Sequence, residues 1–158
     1  MDLDLAGHTY TFPAVPATDW LAVLMVDSPD PDTIILELCP QGHHLLVDEE
    51  LDQEELYKAL LDVIGQVSGR KWWIALRLIQ VVRNNWNVLG AEMFYRHIDP
   101  NALSLSAWLD VMLVLTIRAM EPKDVAMFTS RLEIPPAGEE MAPEDMEMSA
   151  DQFLSMAG

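Results

Sequence analysis

Residues Lys71–Arg96 read KWWIALRLIQVVRNNWNVLGAEMFYR. Within this stretch Trp72, Trp73, Leu76, Ile79, Gln80 and Arg83 recur at three- and four-residue spacings, the period of a helix that buries one face. Asn84-Asn85 is its weak point, because asparagine side chains compete with the helical backbone for hydrogen bonds, and a kink or split is expected there. Beyond it, Trp86, Leu89, Met93 and Phe94 continue the apolar face. A long helical element at the centre of a 158-residue chain makes a mostly α fold the expectation.

The same periodicity extends to both sides. Asp99-Pro100-Asn101 is a turn, and Ser104 or Ser106 is placed to cap a helix through Leu105, Trp108, Leu109, Met112, Leu113, Leu115 and Ile117. Glu121-Pro122 opens a last helix through Val125, Met127, Phe128 and Leu132. Towards the N-terminus, a helix begins near the acidic run Asp48-Glu49-Glu50, whose charge complements the helix dipole, and closes at Ser68-Gly69. Before it, Asp30-Pro31 starts a helix through Ile34, Ile35 and Leu38. Thr18 or Asp19 caps another through Trp20, Leu21, Leu24 and Met25. Leu3–Phe12 alternates at period two around Gly7 and reads as a short hairpin or edge strand. The sum is a compact domain of five to six helices over residues 1–132 with a short N-terminal β-hairpin or strand.

From Glu133 to Gly158 the composition changes to Glu, Asp and Pro with no Lys or Arg. Such a segment buries too little to offset its ordering entropy, so a disordered acidic tail over 133–158 is expected. Within it, Ser149–Met156 has the pattern of one amphipathic turn, with Phe153 and Leu154 as its apolar pair.

Bulk properties narrow the class. A chain of this size buries roughly 70% of its unfolded surface and needs no disulfide or metal to fold. Cys39 is the only cysteine, so no internal disulfide forms. Met1–Leu5 lacks the layout of a secretory signal, and no apolar run reaches the ~18 residues that would span a bilayer. The 26 acidic against 9 basic side chains give a net charge of −17, which argues against nucleic acid or an anionic membrane as partner.

Chemistry-bearing patterns are weak. Cys39, His43 and His44, with Asp48 and Glu49 nearby, lack the paired ligand spacings of a zinc site and read better as a polar loop. There is no Gly-x-Ser-x-Gly elbow and no phosphate-binding glycine loop. Glu54 with Glu55, or Glu92 with Asp99, are acidic pairs that nothing separates from a solvated helix face. No catalytic residue, metal site or cofactor is expected. The tryptophans carry more. Large aromatics at helical spacing are mostly core, yet tryptophan and arginine also dominate protein interfaces. Trp72 and Trp73 sit about 100° apart on a helix. Arg70, Lys71, Arg77 and Arg83 make this the one basic region of an acidic chain, open either to an acidic partner or to pairing with the chain's own carboxylates. Trp72, Trp73, Arg77 and Trp86 are therefore the candidate edge of a partner-binding groove, with Phe153 and Leu154 as a tail motif.

Several of these residues also form a pattern. Phe12-Pro13-Ala14-Val15-Pro16, Asp19-Trp20-Leu21, Lys71–Leu76, Trp86 with Leu89-Gly90-Ala91-Glu92, and Ile98-Asp99-Pro100 leading into Leu103–Asp110 together resemble the tail assembly chaperones of long-tailed bacteriophages that infect actinobacteria. The resemblance runs from about Tyr10 to Leu132. Its most specific part is the Asp-Pro turn followed by the helix start within Leu103–Asp110, preceded by the paired tryptophans Trp72-Trp73. It implies a non-enzymatic helical protein of the host cytoplasm, absent from the mature virion, whose partner is the tape-measure protein. It further implies a longer frameshifted form that recruits the tail-tube protein; self-association is left open. The runner-up classes are a head–tail connector or tail-completion protein, and an acidic adaptor.

Overall fold

The computed structural model describes residues 1–5, 8–27, 29–40, 42 and 52–139. Among them lie two strands and seven α-helices, so the fold is mostly α with a small N-terminal sheet. Strands β1 (Asp2–Leu5) and β2 (His8–Thr11) pair antiparallel, with Leu3 opposite Tyr10 and Asp2 opposite Thr11. The register is held at its open end. The Thr11 hydroxyl donates to Asp2 Oδ1 at 2.7 Å, and the Met1 ammonium donates to the Phe12 carbonyl at 2.9 Å. Tyr10 and Phe12 point inward, and Phe12 stacks on Trp20 with ring centroids 6.3 Å apart.

Helices α1 (Ala17–Leu24) and α2 (Pro31–Leu38) follow. No side chain caps α1, contrary to the expectation for Thr18 or Asp19. Its first free N–H, that of Ala17, instead donates to the Leu103 carbonyl at 2.8 Å, while the Thr18 hydroxyl bonds Asn101 Oδ1 at 2.9 Å. A tertiary contact does the work of the cap. Asp30 precedes α2, with Pro31 in the first turn, and its carboxylate accepts from the Thr33 hydroxyl at 3.0 Å.

The expected start of the next helix near Asp48 lies outside the described residues. As described, α3 (Gln53–Ser68) is capped by Asp52, whose carboxylate accepts from the Glu54 N–H at 3.1 Å. It ends on Gly69 at φ +64°, with Gly69 N–H bonded to the Gln66 carbonyl and Arg70 N–H to the Gly65 carbonyl. This left-handed closure satisfies two orphan carbonyls and turns the chain sharply into α4 (Trp72–Asn84). The expected split then occurs. Asn85 N–H is shared between the Val81 and Val82 carbonyls, each at 3.1 Å, its Nδ2 adds a bond to Val81 at 2.8 Å, and α5 (Trp86–Tyr95) begins after this break. This division accounts for the seventh helix.

The Pro100–Ala102 turn is 3₁₀, closed by the Asp99 carboxylate on the Asn101 N–H. Ser104 caps α6 (Leu105–Ala119), its hydroxyl accepting from Ala107 N–H at 3.2 Å. Helix α6 packs against α1, α3, α4 and α5, and Leu105, Trp108, Leu109 and Met112 are sealed within these contacts. Last, α7 (Pro122–Glu133) lies on α4 alone among its larger contacts and buries Leu132.

Among the described residues two buried side-chain polar groups lack hydrogen-bond partners: the Trp108 indole N–H and the Thr116 hydroxyl. Each is desolvated without return. Replacing Thr116 with valine keeps the shape and removes the hydroxyl, and is expected to raise stability by about 1 kcal/mol in a denaturant titration. Gly69→Ala should act in the opposite direction. A methyl there would sit 3.1 Å from Ser106 Oγ in a backbone conformation that disfavours L side chains, for an expected loss of about 1–2 kcal/mol.

Candidate functional site

Three of the residues singled out in the sequence come together at the start of α4. The Trp72 and Trp73 rings meet edge to face, centroids 5.7 Å apart and planes at 89°. Trp73 is buried and Trp72 half-buried. One turn on, the Arg77 guanidinium reaches the end of α7. It donates to the Arg131 carbonyl at 3.0 Å, to Leu132 at 3.1 Å and to Ile134. The last carbonyls of a helix have no partners within it, and a cation there also matches the negative end of the dipole. Arg77 is thus the C-terminal cap of α7.

The indoles join the same corner. Trp73 N–H donates to the Glu133 carbonyl and Trp72 N–H to Glu139 Oε1, both at 3.4 Å. The chain after Leu132 is therefore packed, through Glu139, against the face that the two tryptophans present. Beside it opens a cavity of about 610 Å³ lined by Leu61, Gly65, Gly69, Arg70, Trp72 and Glu139, among others. Gly65 sets its floor. A Cβ there would lie 3.3 Å from the Arg70 carbonyl, so the missing side chain lets the start of α4 approach α3 closely.

The basic character of this region is spent internally. Arg70 bonds Asp110 on α6 at 2.6 Å, and Arg83 bonds Asp27 after α1 at 2.5 Å. The Arg83 hydrogen bond, reinforced by its charge, holds the Asp27 carboxyl below its ordinary value, and Asp27 in turn raises Arg83. The sign follows: this tie is complete above the usual carboxylate range and is lost as pH falls through the lowered Asp27 value. Acidic pairs noted in the sequence are also engaged locally. Glu54 bonds Lys58 at 2.8 Å and Glu92 bonds Arg96 at 3.0 Å. Cys39 is buried near the Thr11 carbonyl; His43, His44, Asp48 and Glu49 lie outside the described residues, as do Phe153 and Leu154. Among the described residues no group of three metal-ligating side chains forms.

Trp86 stands apart from this corner. It begins α5, separated from Trp72 by the length of α4, roughly 20 Å. Its indole lies across Gly90, where a Cβ would be 3.1 Å from the ring, and remains partly exposed. A second surface surrounds α5. Leu89 and Met93 are buried against α6, but Val88, Phe94 and Tyr95 face outward, Phe94 and Tyr95 at 85% and 81% exposure. Phe94, expected on the buried face, is corrected here to the solvent side. Val88, Ala91 and Tyr95 follow i, i+3, i+7 spacing, with Phe94 adjoining, so α5 carries a second apolar stripe opposite the buried one. The helix closes with His97 at φ 54°, His97 N–H on the Phe94 carbonyl and Ile98 N–H on Met93. The signal was present in the sequence: residues 86–95 hold more apolar side chains than one face of a helix can bury.

Comparison with protein-family models, with curated proteins and with solved structures finds no match. Likewise, no helix among the described residues is long and apolar enough to cross a membrane.

If Arg77 caps α7, Arg77→Met keeps the aliphatic stem and removes the donors. The expected result is a loss of about 1–2 kcal/mol, with faster amide exchange concentrated in α7 and little change in α3 or α6.

Proposed function

We propose that this chain is a protein-binding, non-catalytic component that acts as a tail assembly chaperone, covering the apolar helical surface of a phage tape-measure protein before the tail tube encloses it. The observation that carries the reading is the outer face of α5. Four side chains, Val88, Ala91, Phe94 and Tyr95, make a solvent-facing stripe on an acidic molecule, and Phe94 and Tyr95 are its most exposed large apolar residues among those described. Contiguous exposed apolar surface marks interaction sites in soluble proteins, and a stripe at helical spacing is complementary to another helix.

The physical demands of the role agree with this surface. A tape measure presents long amphipathic helices whose apolar sides vary in detail. Phe94 and Tyr95 at a helix end offer large contact area with few rotatable bonds, so ordering them on a partner costs little entropy. The net charge of −17 keeps neighbouring copies from collapsing onto one another once their apolar stripes are covered. Further support comes from the sequence pattern around the Asp99-Pro100 turn and Trp108. In the structure those residues build the 3₁₀ turn and the core of α6, so they bear on fold more than on contact with a partner.

The test is co-expression with the tape-measure protein encoded beside it, reading the soluble fraction of the latter. Wild-type chain should bring it into solution and co-purify in many copies. Phe94→Ser with Tyr95→Ser should lose that effect while shifting stability by no more than about 0.5 kcal/mol, because both side chains are exposed. A tape measure that stays insoluble with this chain and with any longer frameshifted form would sink the reading. Full activity of the double-serine variant would move the binding face away from α5.

A further inference from the structure

The outer face of α5 is self-complementary. A helix advances about 100° per residue, so Asn87, Val88, Ala91, Phe94 and Tyr95 fall within about 120° of its circumference, with Ala91 at the middle. All five are exposed. Two such faces laid antiparallel and crossing at Ala91 bring their smallest side chain to the axis, where the backbones can approach. Each residue then meets the one on the other copy that lies a similar distance beyond the crossing, so that Val88 sits beside Tyr95 and Asn87 beside Phe94. The larger side chains of one copy fill the space next to the smaller ones of the other. None of the five is charged, and at the border of the face Glu92 bonds Arg96 at 3.0 Å, a pair that adds no net charge. In a chain of net charge −17, two copies can touch here without setting carboxylate against carboxylate. We propose that two copies of this chain pair antiparallel through α5, crossing at Ala91, in a weak dimer that shields Phe94 and Tyr95 when no other partner is present.

The area available sets the strength of the pairing. With ~200 Å² for each large aromatic side chain, the exposed parts of Phe94, Tyr95 and Val88 offer on the order of 450 Å² per copy. A stable interface of standard size takes about 800 Å² from each partner. The shortfall puts the contact among weak, exchangeable ones, with a dissociation constant on the order of 100 μM. Carboxylates elsewhere on the two copies repel at longer range, so added salt strengthens the dimer by screening. An interface held by ion pairs responds in the opposite direction. A weak dimer also suits a face that another helix must reach, since one copy can leave as that helix arrives. The exchange rests on the chaperone reading; the dimer itself does not, because its test needs only this chain.

Sedimentation velocity of the full chain, from roughly 10-fold below to about 5-fold above the expected constant, measures the pairing. It should show a monomer–dimer equilibrium that tightens roughly 3-fold between about 0.1 and 0.5 M salt. Ala91→Glu sets a carboxylate against its own copy at the crossing and should weaken the dimer roughly 10-fold or more, while glutamate at an exposed helical position leaves the fold intact. A chain that stays monomeric over the whole range at high salt overturns the proposal, as does a dimer that Ala91→Glu leaves unchanged. Orientation is read by disulfide trapping, with the native Cys39 buried and out of reach. Chains carrying Val88→Cys, mixed with chains carrying Tyr95→Cys, should oxidise mainly to the crossed pair, because the two thiols lie side by side only when the helices run antiparallel. Preferential joining of like chains refutes that geometry. A monomeric result leaves the co-expression outcome standing, so failure of the dimer and failure of the chaperone reading are told apart.

Discussion

Helix α6 is surrounded. Helices α1, α3, α4 and α5 each pack on it, and along one side Leu105, Trp108, Leu109 and Met112 are sealed from solvent. Each large side chain buried in this way contributes about 1.5–3 kcal/mol, and the four contacts bring the two halves of the chain together on one helix. The remaining elements rest on the helices that pack against α6, with α2 seated on α1 and α3. The hairpin is one step removed, since β1 lies on α3. Helix α7 is also one step removed, because it rests on α4, and that peripheral seat explains why a single arginine cap at Arg77 matters there. Even the unsatisfied Trp108 indole is a consequence: the ring fills the centre, where no polar partner fits.

What could be read from the sequence were the features set by local chemistry. Proline in the first turn of α2 and α7, Ser104 before α6, Gly69 after α3 and the asparagine pair at 84–85 all act within a few residues, and the structure uses each of them. What escaped was set by distance along the chain. The start of α1 is satisfied by the carbonyl of Leu103, a partner that no local pattern announces. Arg70, Arg77 and Arg83 looked like one basic patch because they share a stretch of sequence. In space they diverge to α6, α7 and the end of α1. The candidate groove edge fared similarly: Trp72, Trp73 and Arg77 converge, while Trp86 belongs to a different surface. Exposure of Phe94 was hidden by the assumption that an apolar residue at helical spacing faces inward. On α5 there are two apolar faces, and its neighbours α6 and α4 leave one of them uncovered.

Charge shapes the molecule in a related way. With 9 cations for 26 carboxylates, each arginine placed between elements has a marked structural effect. Arg70 and Arg83 join helices that are distant in sequence, whereas Lys58–Glu54, Arg96–Glu92 and Lys123–Glu121 are local pairs at the surface and add little. By charge count alone most carboxylates therefore have no cation to pair with. Such a surface repels other copies and polyanions alike, and it leaves apolar area as the main attraction the chain has to offer a partner. The α5 stripe is conspicuous for this reason.

The two surfaces described differ in what already fills them. The corner at Trp72 and Trp73 is occupied from within the chain: Arg77 and Trp73 take carbonyls at the end of α7, and Trp72 takes Glu139. The stripe on α5 is regular at helical period and exposed, so it suits a helix laid against it. The two stand roughly 20 Å apart across the length of α4, a span that a partner helix of about 13 residues would bridge. A helical partner seated on α5 alone would therefore leave the end of α7 and its arginine cap in place.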